Sequence, residues 1–249
     1  MSRPPILRLT RESIVYGIGQ AVGRGLQMVL VPVFTRAFRP AEYGVIDVLT
    51  LIATIAALVI VMGTDSALGR FFYEGEDADS RRTLVSTLAG WRASLSLGIA
   101  LLLFLLAPAL SRFVLASPDY AKYVRVTAGT LPFTVFVLFQ NDVLRATFQP
   151  AKFIALNLLN TLCVGGLSIL FVVGMREGVV GALYGRLLGD AFTAAVGFVL
   201  IRHYLRTRFD RVRLVRLLGF AAPLVPAVLF FWAVSYADRW VLVHFTNLT

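Results

Sequence analysis

Arg24, Arg92 and Arg186 stand inside long apolar stretches of this sequence, and arginine keeps its charge in any surroundings a protein offers. A guanidinium grips phosphate through two parallel N–H bonds. Several of them facing a polar lumen would suit a phosphorylated or pyrophosphorylated substrate. Charged groups inside a membrane segment usually face a bundle interior or a water-filled cavity. Arg24 belongs to a polar stripe, Gly17, Gln20, Arg24 and Gln27, spaced by three and four residues. Arg92 has Ser96 four residues on and no acid within helical reach. Arg186 has Asp190 at i+4, so this pair reads equally as a structural ion pair. Asp65 and Asp190 are the candidates for taking and releasing a coupling ion. Asp238 and Arg239 form a further charged pair.

Other chemistry has little to work with. His203 and His244 lie far apart, and the single cysteine, Cys163, sits in an apolar run, so no zinc, thiol or triad spacing exists. Neither a metal nor any other cofactor is expected, and the chain does not read as an enzyme. A membrane-embedded glycosyltransferase or polymerase would need acids such as Glu74, Glu76, Asp77 and Asp79. Those four match no oxygen-ligand loop and read as a solvated turn. Asn157, Asn160, Thr161 and Ser168 share one helical face and read as hydrogen-bonding glue between helices. Gly181, Gly185 and Gly189 form a doubled small-residue row that predicts a close helix–helix contact.

The elements that must position these residues follow from composition. The chain of 249 residues is 58% hydrophobic and 15% charged, with a mean hydropathy of +0.78. Soluble domains carry about 25% charged residues, so an all-α polytopic membrane protein is expected. Seven stretches are long enough at about 20 residues to span a bilayer: 13–35, 44–66, 84–107, 122–145, 153–174, 179–201 and 215–237. The fourth is the most polar, with Arg125 and the segment QNDVLR at its ends. The basic amino terminus before the first apolar run reads as the flank of a retained helix, not of a cleaved leader.

The net charge of +10 is unevenly spread. With the amino terminus in the cytoplasm, inner segments carry Arg3, Arg8 and Arg11, then Arg70, Arg81 and Arg82, then Arg145 and Lys152, then RHYLRTRFDRVR at 202–213. Outer segments carry fewer cations, which is positive-inside behaviour. The arginine-rich 202–213 run therefore reads as a topogenic loop touching lipid headgroups, and no nucleic-acid partner is expected. The sequence stops soon after the seventh stretch, so it reads as the amino-terminal part of a longer transporter.

Three segments carry a family resemblance. Pro32, Thr35, Arg36, Pro40, Glu42, Tyr43 and Gly44 follow a glycine-rich first helix; GTDSALGRFFYE runs from Gly63 to Glu74; GFAAPLVPAVLFFWAVSYADRWVL runs from Gly219 to Leu242 and includes Asp238 and Arg239. Together, in this order, they resemble bacterial polysaccharide (O-antigen) flippases of the multidrug/oligosaccharidyl-lipid/polysaccharide exporter superfamily. The resemblance implies two six-helix bundles around a central cavity, with 1–213 forming the first and 214–249 opening the second. It implies alternating-access flipping of undecaprenyl-pyrophosphate-linked oligosaccharide across the bacterial inner membrane. Implied partners are that lipid-linked glycan, membrane lipids, and polysaccharide polymerase and ligase machinery. An ion-coupled drug exporter of the same superfamily is the alternative, and a half-unit paired with another membrane protein is a third reading.

Overall fold

The computed structural model describes residues 34–75, 77–115, 117–206 and 208–227, together with Gly25, Met28, Pro32 and Phe230. Arg24, Asp238 and Arg239 lie outside these residues. The described residues form helices joined by short turns, with no strand among them. Lipid offers backbone groups no hydrogen bonds, so a spanning chain must satisfy them within each segment.

Helix α1 (Pro40–Val61) starts with proline at its first position, and the Glu42 carboxylate accepts from the Arg39 N–H at 2.8 Å. The sequence predicts one span over 44–66. Instead the helix breaks at Met62 and Gly63, both left-handed at φ 43° and 71°, and resumes as α2 (Thr64–Glu74). A β-carbon on Gly63 would lie 3.2 Å from the Ala221 carbonyl oxygen, so the break is wedged against a later helix. Helix α3 (Ala78–Val114) outruns its expected 84–107. Its 37 residues measure about 55 Å against a hydrocarbon core of about 30 Å. The helix is therefore longer than the apolar layer is thick, and its charged first turn is capped by the Asp77 carboxylate, which accepts from the Ser80 N–H at 3.1 Å. Leu97, Leu101 and Leu105 are exposed along one face of α3, as lipid contact allows.

Helices α4 (Ala121–Ala146), α5 (Pro150–Ile169) and α6 (Gly178–Ile201) lie close to the expected spans. A wider turn at Leu170–Gly174 extends α5. Helix α7 (Arg211–Ala221) begins ahead of the predicted 215–237 stretch, with Asp210 as its cap. Among the described residues, four stretches are long and apolar enough to cross a membrane: Pro40–Glu74, Ala78–Val114, Pro150–Gly174 and Gly178–Tyr204. Helix α4 is the more polar member because it runs through the middle, packed on α1, α2, α3, α5 and α6. Its uncharged polar side chains Thr127, Thr130, Gln140 and Asn141 are buried against protein, while Lys122, Arg125 and Arg145 are exposed.

The predicted glycine row does bring α5 and α6 together. A β-carbon on Gly185 would stand 2.5 Å from the Ser168 backbone, and one on Gly189 would stand 2.7 Å from Val164. Only hydrogen fits there.

Candidate functional site

Threonine, glutamine, asparagine and aspartate recur along α4 and are covered by the surrounding helices. Buried polar groups need partners, and most of those on α4 find them on α3, α5 and α6. The seam holds two charged centres, separated along α4 by the eight positions from Thr134 to Asp142, or about 12 Å of helix rise.

The first centre is built around Arg92 of α3, which is 1% exposed. Its Nη1 donates to the Asp142 carboxylate of α4 at 2.7 Å, and its Nε donates to the Thr64 hydroxyl at 3.0 Å. Thr64 is the first residue after the α1–α2 break, so one guanidinium ties the break to two long helices. The Phe139 ring lies 5.7 Å from the guanidinium carbon. Nη2 is buried and has no partner among the described residues. Asp65, next to Thr64, is exposed at the start of α2.

The second centre joins α4, α5 and α6. The Asp190 carboxylate, almost wholly buried, accepts from the Thr134 hydroxyl at 2.5 Å and from the Asn160 amide at 2.8 Å. Arg186 Nε stands 4.0 Å from the same carboxylate, at the outer limit of an ion pair. The Arg186 side chain remains 34% exposed. It lines a narrow cleft with Thr50, Thr127, Thr130 and Thr134. The Thr127 hydroxyl is buried there without a partner among the described residues. Thr130 and Thr134 already donate, to the Val126 carbonyl and to Asp190, which leaves the Thr127 hydroxyl and the partly exposed Arg186 guanidinium among the donors of this cleft.

Neutral amides fill the gap between the two centres. Asn141 and Asn157 exchange hydrogen bonds at 3.3 and 3.0 Å, and the Gln140 amide donates to the Ala194 carbonyl at 2.7 Å. A β-carbon on Gly197 would fall 2.0 Å from Gln140 Oε1, so glycine there makes room for the glutamine.

The structure thus separates Arg92 from Arg186 and gives each a different environment. Sequence reading missed Asp142 and Thr134 as partners because both lie on another helix, far along the chain. The signal for Asp142 was the polar QNDVLR segment that made the fourth span look weak.

A family model described as polysaccharide biosynthesis protein matches residues 33–247. No curated protein matches the chain. Among solved structures, a MATE protein in its straight conformation is similar at 20% identity and a TM-score of 0.72, over 94% of this chain and 56% of that one. An outward-facing multidrug resistance MATE family transporter of the MOP superfamily is similar at 20% identity and 0.67, over 91% and 55%. A MOP superfamily transporter from Pyrococcus furiosus, described by the reversed polarity of its binding pocket, is similar at 19% and 0.64, over 90% and 52%. The chain therefore spans about half the length of these solved relatives and shares their fold.

Proposed function

From the premise that this multi-pass membrane chain belongs to the polysaccharide biosynthesis protein family, we propose that it serves to flip lipid-linked oligosaccharide across the bacterial inner membrane. In this reading the helices up to residue 213 form one bundle, and residues 214–249 open a second. The bundles rock about a central cavity, and the prenyl tail of the substrate stays in lipid while its glycan crosses in the polar path. The arginine-rich face, where α3 and α5 begin and α4 and α6 end, lies in the cytoplasm.

One observation carries the reading. Arg186 is a half-exposed guanidinium in a hydroxyl-lined cleft, while the carboxylate beside it is already held by Thr134 and Asn160. Such a cation is available to a pyrophosphate. A proton on Asp190 would cancel the charge opposite Arg186 and release the guanidinium to the anion, which couples substrate capture to proton entry. Arg24, which lies outside the described residues, is a further candidate cation for the anion, and Arg92 is a third, though it is buried and holds the α1–α2 break. Asp65, exposed on α2, is the second coupling candidate.

The test is translocation of undecaprenyl-pyrophosphate oligosaccharide into vesicles by the native protein. Arg186→Ala should abolish it, and Arg186→Lys should restore part of it. Unchanged translocation by Arg186→Ala at equal protein level would sink the reading. An exporter of cationic drugs would instead lose activity in Asp190→Asn while tolerating Arg186→Ala.

A further inference from the structure

At the arginine-rich face, α2, α3, α4 and the turn after α6 enclose a cleft of about 320 Å³, lined by Tyr73, Arg81, Arg82, Thr147, Phe148 and Tyr204 among others. We propose that this cleft is a binding site for the phosphate headgroup of an anionic membrane lipid. The proposal is independent of what the protein transports.

Arg82 is half-buried in the cleft wall and forms no ion pair with any described residue. Arg81 spends its Nε on the Gly75 carbonyl at 3.0 Å and lies over the Phe72 ring, which leaves its outer nitrogens uncommitted. The neighbouring acids among the described residues are already engaged: Asp77 caps α3, Asp79 pairs with Arg206 and Glu74 pairs with Arg70. Lys152 and Arg202 add positive charge, and with Arg82 they act on the His203 ring. The carbonyl end of α4 would repel an anion, but the Tyr73 hydroxyl already donates to the Ala146 carbonyl at 2.5 Å. A half-buried guanidinium without a carboxylate has a strong demand for an oxyanion.

The rim decides the source of that oxyanion. Tyr73 and Phe148 are both more than half exposed, with ring centroids 5.8 Å apart. Aromatic side chains at this level favour the headgroup–acyl boundary. Basic pockets between membrane helices hold anionic headgroups by the same balance. A soluble phosphate would use the arginines and gain nothing from the exposed rings.

The experiment is native mass spectrometry of the full-length protein released from vesicles holding equal phosphatidylglycerol and phosphatidylcholine. Retained lipid should be mostly phosphatidylglycerol. The enrichment should fall about fivefold for Arg82→Gln and further for Arg81→Gln with Arg82→Gln. Arg112→Gln, on the opposite face, should leave it unchanged. Photo-crosslinkable phosphatidylglycerol should label the peptide holding Thr147 and Phe148 in the unmutated protein, so the proposal stays testable should the variants misfold. Equal retention of both lipids, undiminished enrichment in the double variant, or displacement of the lipid by millimolar inorganic phosphate would each overturn it.

Discussion

Arg92 on α3 and Asp142 on α4 are 50 residues apart in the chain and 2.7 Å apart in the fold. Arg92 is buried and the Asp142 side chain is only 14% exposed, so each depends on the other. Removing one partner of a buried pair leaves an uncompensated charge at a cost of about 3–5 kcal/mol. Asp142→Ala should therefore lower the thermal midpoint in detergent sharply. Arg92→Leu combined with Asp142→Leu should recover most of that loss, because the desolvation cost goes with the charges. A double variant as unstable as the single one would mean that the pair does more than neutralise itself.

Thr134 sets the state of the second centre by donating to Asp190 at 2.5 Å. Thr134→Val keeps the shape and removes the donor. It should cost about 1–3 kcal/mol by leaving the carboxylate short of one bond. It should also draw Arg186 closer to Asp190 and weaken substrate binding. A translocation assay across substrate concentrations should show a raised KM, while thermal unfolding reports the stability loss separately.

The α5–α6 contact makes a sharper stability prediction. Gly185→Ala places a β-carbon 2.5 Å from the Ser168 backbone, so the two helices must separate. Overpacking of this kind costs about 1–3 kcal/mol. Gly98→Ala on α3 meets nothing within 4 Å and should be neutral or stabilising by about 0.5–1 kcal/mol. Comparing the two melting curves checks both signs at once.

Orientation is open to a labelling test. Lys152 and Arg112 are exposed at opposite ends of the bundle. In a Cys163→Ser background, Arg112→Cys should react with a membrane-impermeant maleimide on intact cells lacking an outer-membrane barrier. Lys152→Cys should react only after the membrane is opened. The reverse pattern would invert the proposed topology.

How legible the fold was depends on the kind of residue. Class and the rough positions of α3, α4, α5 and α6 could be read because lipid imposes them: a backbone that must bond within its own segment needs a long helix. The glycine row at 181, 185 and 189 was legible for a similar reason, since small residues in a membrane helix have few uses besides close approach. The break at Met62 and Gly63 was not. Gly63 is one glycine among 20 in the chain, and its role appears only where Ala221 packs against it.

The charged centres divide along the same line. Sequence alone determined that Arg92, Arg186 and Asp190 would sit in apolar helices and need special surroundings. It offered Arg186 to Asp190 by spacing, because four residues is one helical turn. Tertiary structure decided the partners. It held Asp190 with Thr134 and Asn160, left Arg186 half-exposed at 4.0 Å, and closed Arg92 onto Asp142. Local spacing reports neighbours on one helix, whereas a buried charge is satisfied by whichever helix face packs against it. That choice is made only when the bundle closes.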